Sequence, residues 1–220
     1  MAQVISAVQE KGGSGKTTLL ASLAASFIRD GAKVALVDTD PQRNLYQWAA
    51  KEKIQADFLA ELDDTRLTPT LQQLRPEYDV VILDTAGFKS TMAVYAIAAS
   101  DLVLIPSKAT ETDAKGALKT FQHVLSVSTA LGKAVTTRLV MMDIDQTTNI
   151  TTAVLNAFDN AGVPRLKSLC AHRTGFKEMF SSGDGPNGSA KTAFLQVLAE
   201  LQTEGLLDFY AKGALWVKSA

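Results

Sequence analysis

Short apolar runs alternate with longer stretches of helical spacing along almost the whole chain. Residues 3–9 (QVISAVQ), 33–37 (KVALV), 79–83 (DVVIL), 101–105 (DLVLI) and 138–142 (RLVMM) are β-branched or leucine-rich segments of strand length. Nearly every position in them is apolar, the pattern of strands buried on both faces. Two weaker strands are predicted at 56–59 and 165–169. Between the runs, apolar residues recur at three- and four-residue steps, as with Leu20, Leu23, Ala24, Phe27 and Ile28. The spacing predicts helices over 17–29, 44–53, 69–74, 91–99, 112–131, 148–161 and 190–204, with Gly31 and Gly205 as stops. Strand and helix alternating in this way predict an α/β fold. Its central sheet is mostly parallel, of about seven or eight strands, with helices on both faces.

The chain has 220 residues, and no internal repeat or linker divides it, so 1–220 reads as one domain. The stretch 181–189 (SSGDGPNGS) is the one flexible-looking segment, a surface loop or a partner-binding loop. Net charge is −1, which excludes a global positive field; any nucleic-acid contact has to come from a local patch or one shared by two subunits. The single cysteine, Cys170, excludes an intramolecular disulfide and fits a reducing compartment. It lies in an apolar stretch and reads as a structural thiol. His123 and His172 are too far apart in sequence to suggest a metal site. The N-terminus enters a strand directly, without the basic-then-apolar order of a secretion signal. No apolar run approaches the ~20 residues that span a bilayer.

Chemistry concentrates where strands end. Lys11-Gly12-Gly13-Ser14-Gly15-Lys16-Thr17-Thr18 follows the first strand and opens the first helix. Gly15, Lys16 and Thr17 complete a phosphate-binding loop, but Glu10 stands where its first glycine is expected and a second lysine follows. Glycines let backbone amides wrap an anion, and the helix N-terminus adds positive potential. Lys16 is placed to bridge the β- and γ-phosphates and Thr17 to put its hydroxyl on Mg²⁺. Asp84 closes DVVILD, the position of a carboxylate that holds Mg²⁺ through water, and Gly87 could lend an amide near the γ-phosphate. Asp38 and Asp40, in DTDPQ, end the second strand; at i and i+2 they share a side if the backbone stays extended.

KGGSGKTT, DTDPQ and VVILDTAG, in this order and spacing, resemble the ParA/MinD group of deviant-Walker P-loop ATPases. The compact length is similar to that of the small, ParF-like partition members. The resemblance covers roughly residues 1–90, with further likeness at 101–107 and around 173–183. It implies ATP and Mg²⁺ as ligands. It implies that Lys11 reaches across a dimer interface to phosphates held by a second copy, and that Asp40 positions the attacking water. Asp38 and Asp84, with Thr17, would organise the metal shell. Slow, partner-stimulated hydrolysis would then reverse an ATP-bound homodimer. Iron-protein relatives need cysteines that this chain lacks. Base contacts follow from topology alone: the end of strand 138–142 and the loop after Leu169 put forward Met142 and Asp143.

By the same resemblance the dimer would bind DNA without sequence preference, and a ParB-like activator on a plasmid or other cargo would trigger release, in the cytoplasm at the nucleoid. Candidate contacts are Arg165, Lys167, Arg173 and Lys177, with Lys133, Arg138 and Lys191 as further basic positions. The alternative is a MinD-like membrane switch, which needs a C-terminal amphipathic helix. The tail offers Leu206, Leu207, Phe209, Tyr210, Leu215, Trp216 and Val217. It carries only Lys212 and Lys218 as cations, with Asp208 among the apolar residues and Gly213 in the middle. A packed terminal helix or a partner contact is the expectation, and a membrane is not an expected partner.

Overall fold

The computed structural model describes residues 1–51, 53–87 and 91–211. Its strands are β1 (Gln3–Ala7), β2 (Val34–Asp38), β3 (Asp57–Ala60), β4 (Val80–Asp84), β5 (Leu102–Ser107), β6 (Thr136–Ile144) and β7 (Arg165–Ala171). They form one seven-stranded sheet in the order β3-β2-β4-β1-β5-β6-β7. Every pairing is parallel.

The continuous apolar runs are explained by what lies above and below. In β2, Val34 and Leu36 enter one core while Ala35 and Val37 enter another. In β4, Val80 and Ile82 alternate in the same way with Val81 and Leu83. One face is covered by α1 (Lys16–Arg29), α2 (Asn44–Ala49), α7 (Gly175–Ser182), α8 (Gly188–Thr203) and the short α9 (Asp208–Ala211). The other is covered by α3 (Asp64–Leu74), α4 (Thr91–Ala99), α5 (Glu111–Leu131) and α6 (Asn149–Asn160). None of the helices among the described residues is long and apolar enough to cross a membrane.

The strand order brings the site together. β4 lies between β1 and β2, with Ala7 opposite Asp84 on one side and Asp38 opposite it on the other. The loop after β1 and the carboxylates of β2 and β4 therefore share one edge. β1 is also where the sheet order reverses direction, the place where ligands bind beyond the carboxyl ends of parallel strands.

Several elements differ from the sequence expectation. α2 stops at Ala49, not at residue 53, and Lys51 beyond it turns to bind other backbone. α3 starts at Asp64, five residues before Pro69, because Asp63 caps it by accepting from the amide of Thr65. An eight-residue helix, α7, occupies a region with no predicted element and takes in Ser181 and Ser182. The rest of 181–189 is not a free loop: Gly185 packs so closely on α1 that a Cβ there would lie 2.8 Å from Ala25 Cβ.

The chain after α8 folds back onto the first face. Leu207 is buried, Phe209 meets Phe27 edge-on and Tyr210 stacks on Phe27. Gln3 Nε2 donates to the Leu206 carbonyl and Gln3 Oε1 accepts from the Asp208 amide. Leu207 is thus in the core and Phe209 and Tyr210 pack against it, as a packed terminal segment requires. Lys212, Gly213, Leu215, Trp216, Val217 and Lys218 lie outside the described residues.

Candidate nucleotide site

The loop between β1 and α1 borders a cleft of about 710 Å³. Gly12, Gly13, Gly15, Lys16, Thr17 and Thr18 line it from below. A Cβ on Gly12 or Gly13 would meet nothing within 4 Å, so this backbone faces open space. Gly13 (φ 75°) and Gly15 (φ 103°) are in the left-handed region that other residues avoid. Gly15 also leans on Met142, whose Cβ would be 3.3 Å from a methyl group there. Ser14 is fully buried and its Oγ has no hydrogen-bond partner among the described residues.

Lys16 is the buried cation of the loop, 9% exposed, with Nζ 3.4 Å from the Gln9 carbonyl. Burial lowers its pKa, against the opposing pull of Asp84 and Asp40. Thr17 Oγ1 donates to Asp84 Oδ2 at 2.7 Å. Burial pushes the Asp84 carboxyl up to about 7; the Thr17 hydrogen bond opposes this, and the nearby charge of Asp38 adds to it. Thr39 fastens β2 to the same strand end, its amide and hydroxyl both donating to the Asp84 carbonyl.

Asp38 and Asp40 differ in burial. Asp38 is buried in the wall, where its carboxylate accepts from the amides of Asp40 (3.0 Å) and Tyr46 (2.9 Å). Its pKa is raised by burial in spite of those bonds. Asp40 lines the cleft, and its Oδ1 accepts from the Gln42 amide. The two carboxylates remain close enough to interact, and the charges of both act on Asp84.

Lys11 is placed apart from Lys16. It is 45% exposed, and its Nζ is held by Asp113 Oδ2 (2.8 Å) and Thr112 Oγ1 (3.1 Å) at the start of α5. Asp113 is itself buried, 2% exposed, and its backbone amide is capped by Thr110 Oγ1. Sequence reading missed this partner, although Thr110 followed three residues later by an acid is a readable helix start. It also missed Trp48, Lys51 and Phe180 on the far wall of the cleft.

The two base candidates are neighbours within β6, where the pairing register with β7 shifts between Met142 and Ile144. Met142 is buried beneath the phosphate loop. Asp143, with φ 60°, pairs with Lys108 at 2.9 Å and with His172 Nδ1. Cys170 is buried, which pushes its thiol up to about 12 and suits a structural role. The four basic candidates are split. Arg165 and Lys167 sit at the start of β7, while Arg173 and Lys177 lie past its other end, about 20 Å away at ~3.3 Å per residue. Arg165 is held at 2.7 Å by both oxygens of Asp159. Arg138 is paired with Glu204, and Lys133 Nζ donates to the Ser100 carbonyl.

The donor set suits a phosphate chain with a small divalent cation. The unpartnered Ser14 hydroxyl, the buried ammonium of Lys16 and the open glycine backbone offer donors to an anion. Thr17 and Asp84 offer two oxygens at one point. No group of three or more acidic, histidine or cysteine side chains converges among the described residues. Mg²⁺ takes one or two protein oxygens and fills its shell with water and phosphate, and Thr17 and Asp84 supply two.

Comparison with known proteins gives the family. A family model described as VirC1 protein matches residues 2–184. The virC1 protein of Rhizobium rhizogenes is 30% identical over 185 residues, 79% of this chain and 78% of the relative. The ParA protein of Rhizobium radiobacter is 26% identical over 184 residues, 82% of this chain and 83% of the relative. An ATP complex of McdA from Cyanothece superposes with a TM-score of 0.73 at 16% identity, covering 100% of this chain and 98% of that one. The chain belongs to the VirC1 family, within the ParA/MinD group of P-loop ATPases.

Proposed function

We propose that this chain is a ParA-type positioning ATPase, working as one domain over 1–220. It binds ATP with Mg²⁺ in the cleft, pairs with a second copy around the triphosphate and separates after hydrolysis. The observation that carries this reading is the division of labour between two lysines. Lys16 is buried in its own loop, whereas Lys11 stands at the surface and is not among the residues lining its own cleft. A γ-phosphate enclosed between two subunits needs extra positive charge to offset its desolvation, and a second copy's Lys11 supplies it.

In this reading the glycine backbone from Gly12 to Gly15, with Ser14 and Thr18, cradles the phosphates, and Lys16 bridges β and γ. Met142 backs the loop, and Asp143 lies at the rim toward the base. Thr17 and Asp84 would hold Mg²⁺, with Asp38 fixing the turn beside them; such an ion would supply positive charge against the phosphates. Asp40 orients a water in line with the γ-phosphorus. Hydrolysis gives ADP and phosphate and removes the charge that Lys11 of the second copy was bound to. This is a switch of the γ-phosphate kind.

The name of one relative, maintenance of carboxysome distribution protein A of Halothiobacillus neapolitanus, supports a role in distributing cargo. The ATP dimer would bind DNA non-specifically at the nucleoid of the cytoplasm, and a ParB-like activator on the cargo would stimulate turnover. Doubling in a dimer would let Arg173 and Lys177 contribute beside the nucleotide face, with Arg165 and Lys167 at the opposite edge. The packing of Leu207 in the core, with Phe209 and Tyr210 against it, weighs against the membrane alternative.

The test is DNA binding by anisotropy with ATP, ADP and no nucleotide at several salt concentrations, beside liposome sedimentation. The expected result is DNA binding with ATP only, weakening steeply as salt rises. Liposome binding without DNA binding would overturn the reading.

A further inference from the structure

α2 has only six residues, too few to be stable alone, so its contacts set its position. At its start, Asp38 accepts from Asp40 and Tyr46 together, which welds the Asp40 turn to the first turn of the helix. Arg43, the residue before the helix, is left-handed with φ 53°. At its other end α2 grips a segment more than a hundred residues away. Trp48 Nε1 donates to the Asp184 carbonyl at 3.0 Å. Just beyond the helix, Lys51 Nζ donates to the carbonyls of Phe180 (2.5 Å) and Ser181 (3.0 Å). These are carbonyls of the last turn of α7, where the helix dipole favours a cation.

The steric fit is equally close. A Cβ on Gly183 would lie 2.4 Å from Lys51 Cβ, and one on Gly185 2.8 Å from Ala25 Cβ. The 183–185 turn is therefore wedged between α2 and α1. A second cavity of about 360 Å³ opens beside it, with Arg29, Asp184, Lys191 and Phe194 in its walls. Asp40, Trp48 and Lys51 all line the nucleotide cleft. One short element thus runs along the cleft wall from Asp40 and meets the α7–α8 turn at its far end. Packed contacts of this kind shift between discrete arrangements instead of deforming continuously.

We propose that α2 is a lever carrying the state of the nucleotide cleft from Asp40 to the 180–185 turn, so that the α7–α8 face differs between triphosphate and diphosphate forms. This rests on the reading that the cleft takes ATP with Asp40 beside the γ-phosphate. Trp48 is one of two tryptophans, so Trp216→Phe makes it the sole indole reporter. Adding Lys11→Ala removes the lysine proposed to join two copies, so that a second copy does not supply protection.

In that double variant, Trp48 emission and amide exchange at 180–185 are followed without nucleotide, with ADP and with a non-hydrolysable ATP analogue, all with Mg²⁺. Loading is measured in parallel by calorimetry. The analogue, but not ADP, should change both signals, the exchange by about tenfold. Lys51→Met keeps the stem against Gly183 but removes both hydrogen bonds, and should abolish the difference between states. Trp48→Phe, followed by exchange alone, should reduce it. Loaded protein with identical 180–185 exchange in all three states overturns the lever and leaves the ATP reading standing. A full difference retained in Lys51→Met also overturns it. Failure to load nucleotide overturns the ATP reading and the lever with it.

Discussion

Asp84 concentrates the conflict of the site in one side chain. It is buried beside two other acids, and its carboxyl is pushed up to about 7 from an ordinary 3.8. The folded chain therefore holds this proton more tightly than the unfolded chain. The resulting stabilisation is fully present below about pH 4 and is lost as pH rises through 7; Asp38, also raised, acts in the same sense. In EDTA, the Asp84→Asn variant should lack a falling component of up to about 1.4 kcal/mol per pH unit that wild type shows between pH 5 and 7. Urea unfolding of both proteins checks this, and parallel pH profiles would contradict it. Gly15 makes a second demand: at φ 103°, with Met142 3.3 Å from its missing Cβ, alanine is strained on two counts. Gly15→Ala should cost about 1–2 kcal/mol of stability and weaken nucleotide binding, measured by thermal melting and calorimetry. The residue types of this site were legible because phosphate loops demand glycine, lysine and threonine at fixed steps. The deeper burial of Asp38 than of Asp40 was not, because it depends on amides of the following turn that donate to the Asp38 carboxylate.

At the scale of elements, the strands were legible because both faces of the sheet are covered, leaving unbroken apolar runs such as residues 80–83 of β4. α7 was missed although Phe176, Met179 and Phe180 have helical spacing. Eight residues ending in two serines and a glycine give too short a period to outweigh the loop composition that follows. The end of α2 was overrun because Lys51 and its neighbours suit a helix locally, while tertiary contacts at Phe180 and Ser181 take the lysine elsewhere. α9 has a testable energetic role, since it seals Phe27 and ties its strand of chain to Gln3. Ending the chain after Gly205 removes buried Leu207 and the rings on Phe27, and should cost about 3 kcal/mol or more. Ending it after Ala211 keeps those contacts and should cost less than 1 kcal/mol if they carry the tail's stabilisation. Urea unfolding of the two truncations distinguishes them, and equal stability would show that α9 contributes little.

For the whole molecule, a net charge of −1 gives the chain no long-range attraction for DNA. Its basic residues are scattered and several are already paired, as Arg138 and Arg165 are. A second copy brought in by nucleotide is what would assemble such surfaces, so the account stands on dimerisation. Lys11 is the residue on which that depends, held at the surface by Asp113 and separate from the loop's own Lys16. The most direct measurement is the mass in solution, by sedimentation velocity, of wild type and Lys11→Ala with Mg²⁺ and a non-hydrolysable ATP analogue, with nucleotide loading measured on the same samples. The account predicts that both proteins load nucleotide and that only wild type doubles in mass. A loaded Lys11→Ala protein that dimerises as wild type does would contradict it.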